Sequence, residues 1–505
     1  MADETTVKEL VRVLSQSRIV LSGQITPSHI EGIDVDLLAS RIIETTGSGL
    51  ELRIITADEV RRIIENTKVE KAPVPIEVIR SSDFKPIANE YDATYKVLNK
   101  PIERTEGTTQ NFVDYFRSRM RRIKMIIEDH RPDVGLVPRL EVLNSMTTGR
   151  EVTIVGMVSS KFVTKKGNLM VNLEDETGEA KVIFSSSGMS QQSKALFKKA
   201  ANIINDEVIA IKGKVSPPFV FATEVLWPDV PFKQKKQTEE DIAIAFMSDI
   251  HVGSKRFMEK NFSNMIQWLN GNVDSNKELA GKIKYIVMAG DVVDGVGIYP
   301  GQDRDLSILD VYTQYRELFN FIDAIPDYIH VFVLPGNHDA VQLAEPQPPL
   351  TADLLKDFKK DNVHILSNPG NATLHGFDVL AYHGRSLDSM IAEVPGLSYS
   401  QPEKAMIELL KRRHIAPIYG NNVSAVFVPS KEDNLVIEKV PDILHMGHVH
   451  KNGIANYHGV EVVNSGTWQA RTDFQIKQGH IPTPCLLPVY ETKRNSFTSV
   501  NFAGE

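Results

Sequence analysis

Five short motifs stand in order along the second half of the chain: Asp249-Ile250-His251, Gly290-Asp291-Val292-Val293-Asp294, Gly336-Asn337-His338-Asp339, Tyr382-His383-Gly384 and Gly447-His448-Val449-His450. Asp, Asn and neutral His are the donors that hold two divalent ions about 3.5–4 Å apart while leaving positions for water and a phosphate oxygen. One carboxylate must then bridge the ions, and Asp291 is the natural bridge. The i, i+2 spacing of Asp249/His251, repeated in His448/His450, sends both side chains of each pair the same way from extended backbone, so each pair can clasp one ion. A single Gly-Asp or His-x-His arises by chance in most chains of this length. Five such motifs in order, about 40 to 65 residues apart, spell a two-metal phosphoesterase site.

The elements that must position these residues are legible beside them. Each motif follows an apolar, β-branched run (IAIAFMS, YIVMA, HVFVLP, DVLAY, DILHM), which reads as a buried strand delivering ligands at its C-terminal end. The other histidines near apolar runs, His330, His364, His375, His414, His445, His458 and His480, read as core residues.

Length and composition narrow the class. A chain of 505 residues exceeds one core and predicts two to four domains. No apolar run approaches the roughly 18 residues of a membrane span, and MADETTVKEL has neither the basic start nor the apolar core of a secretory signal. Cys485 is the only cysteine, which excludes an intrachain disulfide and a zinc finger, so an intracellular, cytoplasmic protein is expected. A formal net charge of −8 excludes broad electrostatic wrapping of nucleic acid and restricts such binding to a local patch.

The first half divides by pattern. Residues 1–65 predict a small, mainly helical domain: VKELVRVLSQ and VDLLASRIIETT have helical periodicity, and Thr56 and Glu59 form a capping-box start before VRRII. Residues 66–137 predict a linker or extended arm, broken by Pro73, Pro75, Pro86 and Pro101 and carrying an amphipathic helix from about Thr109 to Asp129. The basic run Arg117, Arg119, Arg121, Arg122 and Lys124 on that helix reads as a solvated face, or as a contact with nucleic acid or a partner. Residues 138–228 give three strands, a helix and two strands, the order of a five-stranded OB-fold β-barrel, with an Asp-x-Thr-Gly turn at 175–178. Phe162, Phe184, Phe219 and Phe221 either stack bases or fill the barrel. PFKQKKQTEE (231–240) is a charged linker, and 241–505 the metal-bearing domain.

The five motifs resemble those of the calcineurin-like metallophosphoesterases, over residues 241 to about 475. That resemblance implies an α/β fold, a β-sandwich flanked by helices in four layers. It also implies one ion held by Asp249, His251, Asp291 and His450 and a second by Asp291, Asn337, His383 and His448, with His338 as general acid and Asp339 orienting its ring. An OB barrel followed by this domain is the arrangement of the small subunits of replicative DNA polymerases. With every ligand present, the chain resembles the small-subunit family of archaeal D-family polymerases. VPIEVIRSSDFKP, NFVDYFRSRMRRI, YHGRSLDSM, GHVHKNGIANYHGVEVVNSGTWQARTDFQ and PTPCLLPVYET extend the likeness over most of the chain. The family implies a large catalytic partner subunit, a DNA primer 3′ end as substrate, 3′→5′ exonuclease proofreading and Mn²⁺ as the active ion; N/O ligation alone admits Fe, Zn, Co or Ni.

Two rival readings use the same residues: a phosphatase of the same superfamily acting outside replication, and a non-catalytic polymerase scaffold. The C-terminal stretch Val462–Phe502, rich in Trp, Phe, Ile, Leu and Tyr but broken by Pro482, Pro484 and Pro488, is expected either to close the phosphoesterase sheet or to face another protein.

Overall fold

The computed structural model describes residues 83–98, 102, 105–130, 135–187, 190–356, 358–420 and 424–504, together with parts of 4–63. Near the N-terminus, helix α1 (Glu4–Gln16) accompanies two parallel strands, β1 (Ile19–Leu21) and β2 (Arg53–Ile55). Leu10, Leu14, Ile19, Leu38, Ile42, Ile55 and Val60 form their shared core. The Glu59 N–H donates to Thr56 Oγ1 and the Thr56 N–H to Glu59 Oε2, closing the capping box. The sequence reading named no strands here. Three residues per strand are too few for alternation to show in a sequence.

Of the expected linker, residues 66–82 lie outside the described residues. Strand β3 (Tyr95–Val97) adds an edge to a sheet of the C-terminal body, pairing antiparallel with residues 372–374. Helix α2 (Thr109–His130) then lies between the barrel and that body. Its Tyr115, Phe112 and Phe116 pack on Phe427, and its Ile123 and Ile127 on Val155, Met157, Val208 and Ala210. Within the basic run Arg117 and Arg121 are exposed, but Arg119 and Arg122 depart from both expectations, because they are 1% and 6% exposed. Arg119 Nε donates to Asp433 Oδ2 at 2.7 Å and its Nη1 to the Pro417 carbonyl, while Arg122 donates to Glu438 Oε1 and to the Asp433 carbonyl. Partners of this kind offset the desolvation of a buried guanidinium, although Arg119 Nη2 has none. The charge therefore docks the helix.

Strands β4 (Glu151–Val163), β5 (Leu169–Asp175) and β6 (Gly178–Phe184), helix α3 (Gln191–Ala200), and strands β7 (Val208–Ser216) and β8 (Phe219–Leu226) form a closed barrel in the order β4-β5-β6-β8-β7. The 175–178 turn forms because Asp175 Oδ1 accepts the Thr177 and Gly178 N–H groups at 2.7 and 3.0 Å. Phe184 fills the barrel, whereas Phe162 and Phe221 are 48% and 44% exposed.

The C-terminal body stacks two six-stranded sheets. Its first half contains β9 (Ala243–Met247), α4 (Glu259–Leu269), α5 (Lys277–Lys282), β10 (Ile283–Ala289), α6 (Val311–Asp323), β11 (His330–Leu334), β12 (Val363–Ile365), β13 (Gly370–Leu374) and β14 (Phe377–Tyr382). Its second half contains α7 (Leu387–Glu393), α8 (Pro402–Arg412), β15 (Ile443–Met446), β16 (Asn452–Tyr457), β17 (Val460–Ser465), α9 (Asp473–Lys477), β18 (Leu486–Glu491) and β19 (Ser496–Asn501). The orders are β12-β11-β10-β9-β18-β19 and β16-β17-β15-β14-β13-β3. Ile244, Phe246, Val287, Phe332, Ala381, Ile443 and Val463 fill the space between the sheets. Helices α4 and α6 cover the outer face of the first sheet and α7 and α8 that of the second, giving α/β/β/α layers. The C-terminal stretch closes the first sheet in part. Trp468, Leu487, Val489, Tyr490 and Val500 are buried with the first sheet, while Phe474, Ile476 and Ile481 are 67%, 53% and 68% exposed. Among the described residues no helix is long and apolar enough to cross a membrane.

Candidate metal centre

Strands β9, β10 and β11 run parallel in one sheet and β14 and β15 parallel in the other, so all five end at the same edge of the stack. The chain turns sharply there. Asp249, His251, Asp291, His448 and His450 all take left-handed backbone (φ between 48° and 70°), a strained conformation that concentrates at functional sites. Gly336 lies so close to the Asp291 carboxylate, and Gly447 to that of Asp249, that a Cβ on either would collide with it.

All seven candidate ligands converge. Asp291 Oδ2 lies 3.3 Å from His383 Nε2 and 3.9 Å from His251 Nε2, so it stands between two groups: Asp249, His251 and His450 on one side, His383 and His448 on the other. Asn337 Oδ1 is 3.0 Å from His383 Nε2. His251 Nε2 faces His450 Nε2 at 3.2 Å, and His383 Nε2 faces His448 Nδ1 at 3.3 Å.

Whether such a set suits cations can be read from its surroundings. Asp249 Oδ1 is buried with no well-directed hydrogen-bond donor, its polar neighbour being His450 Nε2 at 3.3 Å, a costly setting for a carboxylate oxygen without a cation. Four of the five motif histidines tie their outer nitrogen to an oxygen: His251 Nδ1–H to Asp294 Oδ1 at 2.9 Å, His383 Nδ1–H to the Ala289 carbonyl at 2.9 Å, His448 Nε2–H to Asp388 Oδ2 at 2.9 Å and His338 Nδ1–H to the Asp294 carbonyl at 2.8 Å. Each leaves its other nitrogen facing inward, the outer-shell arrangement of metal-ligating imidazoles. The field agrees: burial opposes a charge on His383, yet the Asp291 carboxylate raises it to about 10, and against the same burial His383 and His338 hold Asp291 well below the usual carboxylate range. The residues fit two divalent ions.

His338, 19% exposed, places Nε2 4.0 Å from Asp291 Oδ2. Burial lowers its affinity for a second proton, against the Asp291 and Asp294 carboxylates. The orienting role expected of Asp339 is corrected. Its carboxylate accepts the Gly336 N–H (2.7 Å), the Val292 N–H (3.3 Å) and the Tyr315 hydroxyl (2.9 Å), and it is the Asp294 carbonyl that holds the His338 ring. Burial beside Asp291 pushes Asp339 up to about 7. Asp339 braces the loop, not the ring. The sequence reading assigned no role to Asp294, Asp388 or Gln475; Asp294 sits three residues after Asp291 in its motif, but the other two become neighbours of the ligands only through the fold.

The family model for the B-type subunits of DNA polymerases alpha and epsilon matches residues 244–453, and the OB-fold nucleic acid binding domain model matches 152–221. A DNA polymerase II small subunit of Methanocaldococcus jannaschii is 40% identical over 441 residues, covering 86% of this chain and 72% of the relative. Proteins of the same name from Pyrococcus horikoshii (40%, 96% and 84% covered) and Archaeoglobus fulgidus (38%, 91% and 90%) are similar over comparable spans. The chain belongs to the small subunits of archaeal D-family DNA polymerases. In this family member the two matched regions are the barrel and most of the body that carries the metal centre.

Proposed function

We propose that the chain serves as the small subunit of an archaeal replicative DNA polymerase, binds two divalent ions, most simply Mn²⁺, and hydrolyses phosphodiesters from a primer's 3′ end as a 3′→5′ exonuclease. The observation that carries this reading is the convergence of Asp249, His251, Asp291, Asn337, His383, His448 and His450, with inward nitrogens and a buried, poorly satisfied carboxylate oxygen, in a polymerase small subunit. Asp249, His251, Asp291 and His450 would hold one ion, and Asp291, Asn337, His383 and His448 the other. The ions would supply an activated water and neutralise the scissile phosphate. His338, held at Nδ1 by the Asp294 carbonyl, presents Nε2; after taking up a proton there it would hand it to the leaving 3′ oxygen.

The rest of the molecule supports a DNA substrate and a partner. Lys214, Phe221, Ile183, Met170 and Phe162 are register neighbours across strands β7, β8, β6, β5 and β4, a row on the barrel whose two exposed rings suit base stacking. Exposed Phe474, Ile476 and Ile481 suit a protein surface, which we assign to the large subunit. The test is Mn²⁺-dependent digestion of 5′-labelled single-stranded and 3′-recessed DNA by the purified chain, with and without the large subunit. Products should shorten one nucleotide at a time from the 3′ end. Cleavage of phosphomonoesters alone, internal nicks in circular DNA, or release from the 5′ end would reject the exonuclease.

A further inference from the structure

One histidine of the centre is held differently from the other four. His450 Nδ1 faces not an oxygen but the amide nitrogen Nε2 of Gln475, at 2.9 Å. Gln475 is buried and occupies the third position of α9. Its Oε1 is already engaged, accepting the Thr472 N–H at 3.0 Å while Thr472 Oγ1 accepts the Gln475 N–H at 3.2 Å, the two halves of a capping box. With that oxygen committed, the amide can only donate toward His450. The imidazole must therefore accept at Nδ1 and carry its proton on Nε2. Nε2 is the atom 3.2 Å from His251 Nε2 and 3.3 Å from Asp249 Oδ1, on the side where these residues would share an ion.

A ligating nitrogen must offer its lone pair. For His450 to ligate through Nε2, the ring's proton has to reside on Nδ1, where it meets the NH₂ of Gln475, donor against donor. The amide can accept that proton only by turning over, and its oxygen then leaves the Thr472 N–H.

Resting on the metal-centre reading, we propose that Gln475 is a positioning residue that couples cation binding at Asp249, His251 and His450 to the N-terminal cap of α9. The closed cap and a cation held through His450 Nε2 oppose one another, because both require Gln475 Oε1. Binding linkage is reciprocal, so whatever holds the cap closed weakens the cation and whatever opens it strengthens it. The four other histidines, whose outer partners are carboxylates or carbonyls, carry no such conflict.

Gln475→Glu tests the coupling, because a carboxylate has acceptors for both the Thr472 N–H and a His450 Nδ1–H. Mn²⁺ is titrated calorimetrically into the full chain, and the Thr472 amide is followed by hydrogen exchange. In the wild type, saturating Mn²⁺ should accelerate exchange at Thr472. The Gln475→Glu chain should bind Mn²⁺ about 10-fold more tightly, the scale of an outer-shell partner, with Thr472 exchange indifferent to Mn²⁺. Gln475→Met, which can make neither bond, should exchange rapidly at Thr472 in both states and bind more weakly than the Glu variant. A Gln475→Glu chain that binds no more tightly, or a wild-type Thr472 amide that ignores Mn²⁺, overturns the coupling while leaving the metal centre standing. A wild-type chain that binds no Mn²⁺ overturns the metal centre itself.

Discussion

Asp291 reaches both halves of the centre, and its other oxygen accepts the His338 N–H at 2.8 Å, so one side chain connects the ligands to the proposed acid. Asp291→Ala should therefore abolish Mn²⁺-dependent digestion. The variant should still fold, because the carboxylate lies beyond the end of β10, outside the apolar layers. Near-wild-type digestion by a folded variant would remove the two-ion assignment. His338 needs a separate test, since its Nε2 also approaches Asp291 Oδ2 and it groups with His251 and Asp291 as a metal-capable set. His338→Ala should lower turnover about 10²–10⁴-fold, the contribution of one general acid, with metal content per chain unchanged. Loss of metal from that variant would make His338 a ligand.

At the scale of elements, the joint that matters most is α2 against the barrel and the second sheet. Asp433 receives Arg119 and also His414, whose Nε2–H donates to Asp433 Oδ2 at 2.8 Å while its Nδ1 accepts the Ala416 N–H at 3.0 Å. Both ring nitrogens are thus committed to the neutral form. Burial and the nearby Arg119 lower His414 to about 4, from an ordinary value of 6.5. The unfolded chain then binds a proton below pH 6.5 that the folded chain refuses until about pH 4, so this group makes stability fall as pH falls through that window and leaves it unaffected above. The loss should approach about 2–3 kcal/mol by pH 4. Denaturant unfolding of the wild type and of His414→Gln between pH 7 and 4.5 checks this: the wild type should lose more stability on acidification, and parallel profiles would reject the assignment.

For the whole molecule, the metal centre opens at one edge of the stacked sheets, while an outward aromatic row lies on the barrel and an apolar patch surrounds α9. A subunit that meets both DNA and another protein accounts for these surfaces better than a free-standing enzyme does. Co-expression with the D-family large subunit should give a complex that survives gel filtration at moderate salt, with polymerase activity well above that of either chain. Separate elution at micromolar concentration would leave a free-standing nuclease.

The five donor motifs, the strands that precede them and the order of elements along the barrel segment were legible in the amino-acid order, because they depend on local pattern: periodicity, turn residues and donor types at fixed offsets. The choice of seven ligands among the motif residues came from the family resemblance, and their convergence from the fold. Arg119 and Arg122 were misjudged from that order, since nothing local distinguishes a solvated arginine from one whose carboxylate partner lies about 300 residues away. Asp339 was assigned a role that belongs to the backbone of Asp294, and Asp388 and Gln475 were passed over. These points were settled by the packing of the fold. The hydrogen-bond partner of a histidine's outer nitrogen is set by which loops the stacked sheets bring to their common edge, and contact across that edge has no period along the chain.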